Sequence, residues 1–472
     1  MSKEYTSHTV IDGEEHVVKD NNDQLFGGEW QQKFLKEPDN MITIGTHKDP
    51  MRGPKQPSQY TIDSLYRHLL ITGMSGYGTS TLVRNIQLQL IEKGYGITFI
   101  DPRGDDSIEL LKSIPKNRVD DVIWIEPGSD RDKQVGFNAF QVESNPEDDL
   151  YNKEVDSVAG DFISILEDKS EYWGPQIGNT IETIVKQLIR ADETFNPIDL
   201  VKIISDKEEI QFFAENYGDE LEQVFINRIA EQDQDAFEPV LRRLRFWTED
   251  RQLRKFISAE SNLDLNKAIN DNKIIILKTD NIQSKKTADM IIRLFIGYLW
   301  NSVKISRLSE ENSDTEDKGH FLFLDQCNNI EDSLSNICTM MSQARSYKLG
   351  IIPIVQRLNE IDNDIKTCLR QTDNTITLNV GNNPSTTGTV AQLYNISSKE
   401  VSELERFEAI SHVMSKSGYT SDNPVTINLF LDFQYQRDEV KDIINKSIEQ
   451  YGSKINVSTD MDEYGFKVDR DT

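Results

Sequence analysis

Nine residues, Gly73-Met74-Ser75-Gly76-Tyr77-Gly78-Thr79-Ser80-Thr81, constrain this chain more than any other stretch. They join an apolar run, Arg67–Thr72 (RHLLIT), to a segment of helical periodicity, Thr79–Lys93. So short an apolar run reads as a buried strand. Glycines at these spacings let the backbone curl so that successive N–H groups point inward, and the helix that follows adds the positive end of its dipole. The product is a phosphate cradle. Its spacing is GxxxxG followed by x-Ser, the P-loop pattern, with Thr79 where that pattern has lysine and Ser80 at the hydroxyl that binds Mg²⁺. Gly73, Ser75, Gly76, Tyr77, Gly78, Thr79, Ser80 and Thr81 are the candidate nucleotide-binding residues. A glycine turn with no ligand is the plainer alternative. At an effective dielectric near 20, a cation about 4 Å from a phosphate charge is worth roughly 4 kcal/mol. Its loss weakens ATP by up to about three decades, less what Mg²⁺ and backbone amides supply.

A second apolar run, His320–Asp325 (HFLFLD), ends in a carboxylate. This is the Walker B form, which delivers Asp325 beside the P-loop as a metal-holding acid together with Ser80. The next residue, commonly glutamate, is Gln326 here. An amide orients water but cannot take its proton. A strand end with a solvated Asp-Gln pair is the alternative.

The pattern around these motifs predicts an α/β fold. Strands are expected at 41–47, 67–72, 96–100, 121–125, 273–279, 320–325, 349–355, 374–380 and 409–414, with an edge strand at 425–431. Helical periodicity without strand signals fills the stretch between. The expected organisation is a flexible acidic extension (1–40), the first part of a P-loop domain with a mostly parallel sheet (41–140), an inserted all-helical domain (141–272), the second part of the P-loop domain (273–431) and a polar C-terminal extension (432–472) with a helix near 438–451.

Apolar residues are 37% of the chain, enough for a core, and Lys plus Arg against Asp plus Glu, 52 − 80, gives a net charge of −28. No global basic footprint for nucleic acid exists, so any DNA contact needs a local basic surface. The densest basic stretch is Arg242-Arg243-Leu244-Arg245, which suits DNA and a solvated helix face equally. Acidity through every segment reads as a salt-adapted, halophilic surface, with an ordinary acidic protein as the alternative. Three cysteines, Cys327, Cys338 and Cys368, without a CxxC predict neither a disulfide framework nor a zinc site. The most apolar helical stretch, Met290–Trp300, is about half a membrane span, and the N-terminus has no signal-peptide core.

Several segments, in order, resemble one family. Arg67–Gly73 resembles its strand into the P-loop, Asp101-Pro102-Arg103-Gly104-Asp105 its "DPKGD" turn, and Val135-Gly136-Phe137-Asn138 its "GFNP" element. Trp173-Gly174-Pro175 resembles its "WGP", Ala344–Gly350 its "ARKYRLG", and Gln356 its sensor glutamine. The family is the HerA/FtsK superfamily of DNA-pumping ATPases, and the closest branch is the conjugative coupling proteins of type IV secretion, relatives of TraG and TraD. The resemblance covers roughly residues 45 to 420. It implies a RecA-like P-loop NTPase with an inserted all-α domain, ATP and Mg²⁺ as cofactors, DNA as partner and a ring, a hexamer in that family. Asp325, Gln326, Gln356 and Arg345 are its candidate catalytic residues, Arg345 as an arginine finger toward a neighbour's nucleotide or else as a solvated helix residue. Asp-Pro-Arg-Gly is also a good type I turn, and Gln356 also suits a strand-end cap.

Two readings stand. One is a soluble, cytoplasmic DNA motor for conjugation or genome packaging of a plasmid, virus or other mobile element, virion-associated if viral and without that family's membrane anchor. The other is a descendant that binds nucleotide or a partner, such as an active paralogue or a secretion or packaging protein, without ATP turnover, because Thr79 and Gln326 replace the two residues that most directly serve it.

Overall fold

Buried apolar strands that alternate with helices can pair in parallel, because each helix carries the chain back to the start of the next strand. The computed structural model describes residues 4–11, 14–21, 40–47, 57–136, 138–166, 175–191, 194–217, 223–224, 237–257, 263–309, 318–327, 331–356, 358, 361, 363–369, 372–394, 396–413, 425–429, 433–434 and 439–454. Its strands, in chain order, are β1 (Glu4–Ile11), β2 (Glu14–Asn21), β3 (Met41–His47), β4 (Pro57–Thr61), β5 (Leu69–Thr72), β6 (Gly96–Asp101), β7 (Val122–Ile125), β8 (Lys133–Gln134), β9 (Ile274–Lys278), β10 (His320–Leu324), β11 (Leu349–Val355), β12 (Asn374–Leu378), β13 (Glu408–His412), β14 (Val425–Leu429), β15 (Phe433–Gln434) and β16 (Ser453–Lys454).

One large sheet runs β4-β3-β14-β13-β12-β5-β11-β10-β6-β9-β7. From β12 to β9 the pairings are parallel. From β4 to β12 they are antiparallel. The α/β class read from the sequence is the class observed. The parallel strands β5, β6, β9, β10, β11 and β12 are buried along their whole length, which is why they read as unbroken apolar runs rather than alternating ones. β11 lies between β5, which carries the glycine loop, and β10, which carries Asp325.

The chain forms two compact units. The first holds Met1–Trp124, Ala268–Asp280 and Ser313–Ser447, and with them the sheet up to Trp124 of β7. The second holds Ile125–Lys267, Asn281–Asn312 and Ile448–Thr472. Its described residues are mostly helical, with the short pair β8–β16. The 25-residue helix Lys285–Ser309 belongs to it and packs on Tyr151–Leu166. Among the described residues no helix is long and apolar enough to cross a membrane.

The structure departs from the sequence expectations in four places. Within 1–40, expected to be flexible, β1 and β2 form an antiparallel hairpin and β15 pairs with β2. Asp12-Gly13 between two strand-forming runs is the hairpin signal that the polar composition hides. β14 is no edge strand: it pairs with both β13 and β3. The strand expected from Arg67 starts at Leu69, because His68 adopts φ +66°. Its Nε2 donates to Met341 O (2.9 Å) and its Nδ1 accepts from Ile351 N–H (3.1 Å), so both ring nitrogens are used and burial pushes the imidazole below its ordinary pKa. Finally, Cys338 and Cys368 form a disulfide, with Cα atoms 5.7 Å apart. Helices Glu331–Ala344 and Asn363–Leu369 pack together and meet there, a proximity that spacing in sequence cannot show. Cys327 is buried and free. Phe137, Trp173, Gly174, Met414 and residues 430–431 lie outside the described residues.

In the second unit, Tyr298 O–H donates to Glu143 Oε1 (2.6 Å), while the Glu154 carboxylate accepts from the Glu143 and Ser144 amides (2.9 Å each). Burial pushes Glu143 up to about 7, helped by Asp264 and Glu154 and opposed by the Tyr298 hydrogen bond. A raised carboxyl pKa means that the folded chain holds a proton the unfolded chain has lost, so this stabilisation is full below about pH 4.5 and lost as pH rises to about 7. Glu143→Gln should therefore gain stability relative to wild type between pH 4.5 and 8, by at most about 3 kcal/mol. Urea unfolding at both pH values measures it, and parallel pH profiles for the two proteins would count against a proton on Glu143.

Candidate functional site

The loop after β5 is clamped at its entry. Gly73 N–H bonds to Val355 O at the end of β11 (3.2 Å), and Met74 N–H bonds to Asn379 O just after β12 (2.8 Å). Gly76 and Gly78 take φ +87° and +110°, conformations in which a side chain is strained. A Cβ on Gly73 would lie 2.8 Å from Leu378 Cβ and from Thr79 Oγ1, and one on Gly78 would lie 2.6 Å from the Phe407 ring. Phe407, at φ +65°, also donates its N–H to Tyr77 O (2.9 Å) and so closes one side of the loop. Nothing in the sequence around Phe407 signals this. Leu82 N–H to Gly78 O (2.9 Å) links the N-cap to the helix Thr79–Glu92, and no side chain caps that helix. The Thr79 and Ser80 amides therefore belong to an uncapped first turn, where N–H groups and the helix dipole favour an anion.

Beside this turn lies a small cavity whose walls include Thr79, Ser80, Arg84, Asp106 and Asp325. Asp325 follows β10 and is anchored by its N–H to Ile100 O (3.0 Å). The residue is 8% exposed, and its buried Oδ2 has no hydrogen-bond partner. Thr79 Oγ1 is likewise buried without one. Burial pushes the Asp325 carboxyl up to about 7, with Asp101 and Asp106 adding to the rise and Arg103 opposing it. Asp101, also raised by burial, accepts from the amides of Arg103 (3.0 Å), Gly104 (2.9 Å) and Ser107 (2.8 Å), which fixes the Asp-Pro-Arg-Gly turn. Ser80 Oγ donates to Asp106 Oδ2 (2.8 Å), and Arg84 Nη2 stands 3.5 Å from Asp106 Oδ1.

The parallel register thus brings Thr79, Ser80 and Asp325 together. Gln326 is buried at φ +50°, a left-handed backbone uncommon for a non-glycine residue and a form of strain that collects at functional sites. Gln356 follows Val355, the residue whose carbonyl holds Gly73, and is half-buried. Ser75 and Gly76 are exposed, Tyr77 half-buried and Thr81 buried. Arg345 is not part of this group: it is exposed before the start of β11, the length of that strand, about 20 Å, from the loop. Asp106, Arg84 and Phe407 are the neighbours that motif reading missed. For Asp106 a signal existed, the doubled acid Asp105-Asp106 directly after the turn.

An orphaned, buried carboxylate oxygen beside a hydroxyl, with carboxylates crowding, fits a hard divalent cation. Among the described residues no three His, Cys, Asp or Glu side chains form a ready-made metal cage. A cation here would complete its shell with water or ligand oxygens, the habit of Mg²⁺ beside phosphates.

No family model and no curated protein matches this sequence. Solved structures do match. The plasmid coupling protein TrwB bound to ADP and Mg²⁺ is 18% identical, with 88% of this chain and 95% of that chain covered at a TM-score of 0.56. TrwB bound to the GTP analogue GDPNP is 17% identical, with 93% and 97% covered at 0.56. VirB4 of Thermoanaerobacter pseudethanolicus is 14% identical, with 82% and 95% covered at 0.50. At these identities the likeness is one of fold, shared with TrwB and VirB4 over most of both chains.

Proposed function

We propose that this chain binds ATP with Mg²⁺ at the Gly73–Thr81 loop and couples that binding to the movement of DNA, as a ring subunit of the conjugative coupling type. The observation that carries the nucleotide site is the buried, partnerless Asp325 oxygen in one cavity with Ser80, next to an uncapped helix N-terminus. The loop amides would cradle the β-phosphate, and Ser80 and Asp325 would hold the cation. Bound there, Mg²⁺ neutralises phosphate charge. Gln326 can orient a water, and Gln356 is placed beside the loop to sense what occupies it. Support for this reading is the fold shared with TrwB, a bacterial conjugative coupling protein whose structure with ADP and Mg²⁺ is known. Arg345, exposed and remote from its own loop, suits a role toward a neighbouring subunit. Arg242, exposed on the helix Glu238–Glu249, is the described part of the basic stretch offered to DNA.

Thr79 and Gln326 favour a second reading, a ring subunit that binds nucleotide and turns it over poorly or not at all. Calorimetry with ATP separates the site from its absence: binding should need Mg²⁺ and be weak because Thr79 is uncharged, and no binding at millimolar ATP would remove the site. Two substitutions then separate the readings. Thr79→Lys should tighten ATP by up to about three decades. Gln326→Glu should mainly raise turnover, since it supplies a proton acceptor to water. High wild-type ATPase activity would show that Gln326 suffices. A folded double variant that binds no tighter and turns over no faster would leave a binding role only.

The charge of −28 also fits work in high salt, where carboxylate repulsion is screened. The melting temperature should rise between dilute buffer and molar KCl. A flat profile would remove the salt-adapted reading.

A further inference from the structure

We propose that Asp106 completes the cation site by fixing the Ser80 hydroxyl, so that this chain divides between Asp106 and Asp325 the work of one metal-side carboxylate. The proposal rests on the nucleotide-site reading above and adds a positioning residue to it.

A serine hydroxyl has one proton and two lone pairs. To bind a cation it must turn a lone pair toward the metal and give its proton to an acceptor elsewhere. Here that acceptor is Asp106 Oδ2, 2.8 Å from Ser80 Oγ. Asp325 is left unengaged by Ser80: its Oδ2 is buried and without a partner in the same cavity. Asp106 is held in place as the second residue of the helix Asp105–Ser113, directly after the turn that Asp101 ties with three backbone hydrogen bonds. Arg84, one helical turn beyond Ser80, approaches its other oxygen at 3.5 Å. Arg84 is thus directed at Asp106, and the Asp325 oxygen is what the cavity leaves for a cation.

The opposite role is a latch, in which the Asp106 bond keeps Ser80 away from the metal. The two roles predict opposite signs. The experiment titrates the full chain with a non-hydrolysable ATP analogue, with Mg²⁺ and again with EDTA, and follows Mn²⁺ uptake by electron paramagnetic resonance. With Asp106 as positioning residue, Asp106→Ala should leave the EDTA affinity within about twofold and cut the metal-dependent gain by about tenfold to a hundredfold. Asp106→Asn, which keeps an acceptor oxygen, should recover most of it. Ser80→Ala should lose as much, and the Ser80→Ala/Asp106→Ala pair should lose little more than either alone, because both act through one hydroxyl. Asp106→Ser, which keeps a polar helix start, carries the same prediction should the alanine variant melt early.

A metal-dependent gain that is unchanged or larger in Asp106→Ala, or losses that simply add in the double variant, overturns the proposal. Loss of the gain in Asp325→Asn with full retention in Asp106→Ala sinks this proposal alone. A wild type with no metal-dependent gain sinks the nucleotide-site reading and the proposal with it.

Discussion

A buried carboxylate oxygen with nothing to bond to is costly in any fold, and Asp325 carries one. The rest of the site follows from where that oxygen sits. β10 delivers it at the end of an entirely buried strand, and β11 spaces β10 from β5 in the parallel register. Ser80 and the uncapped helix start therefore share its cavity. Three aspartates converge on one end of the sheet, yet Asp101 is satisfied by backbone amides and Asp106 by Ser80 and Arg84. Asp325 alone of the three keeps a buried oxygen unpaired, which is an unstable arrangement for a purely structural group and a suitable one for a cation.

The two departures from the nucleotide-hydrolysing pattern touch different parts of this site. Thr79 removes a positive charge from the phosphate side while its buried hydroxyl finds no partner. Gln326 removes a proton acceptor from the water side but keeps a buried, left-handed position next to Asp325. The cradle itself is intact: Gly73 and Gly78 still stand where any Cβ would strike Leu378, Thr79 or Phe407. Those close approaches keep the loop curled, the shape that the proposed phosphate site needs, although Thr79 stands where the P-loop pattern has lysine.

Much of this was readable from the residues. Unbroken apolar runs located the parallel strands because burial on both faces removes the alternation that polar faces would impose. GxxxxG with Ser80, and HFLFL before Asp325, placed the two halves of the site. Other features depend on long-range pairing that no local pattern records. The β1–β2 hairpin was hidden by its polar composition, the place of β14 inside the sheet depends on β3 about 380 residues earlier, and the Cys338–Cys368 bond depends on how two helices pack. Phe407 reaches the loop through a tertiary contact across more than 300 residues of chain. Asp106 was within reach, since it follows the recognised turn, but its partner Ser80 becomes visible only once Asp105–Ser113 and Thr79–Glu92 stand side by side.

Asp325, Ser80 and the Gly73–Thr81 loop are proposed to form one Mg²⁺-nucleotide site. A crystal structure of the chain with Mg²⁺ and a non-hydrolysable ATP analogue tests it most directly. The expected result is a β-phosphate over the loop amides and a metal about 2.1 Å from Ser80 Oγ, with Asp325 facing it directly or through water. A structure at millimolar ligand with the nucleotide bound elsewhere, or with the loop free of phosphate and Asp325 facing no cation, would contradict it.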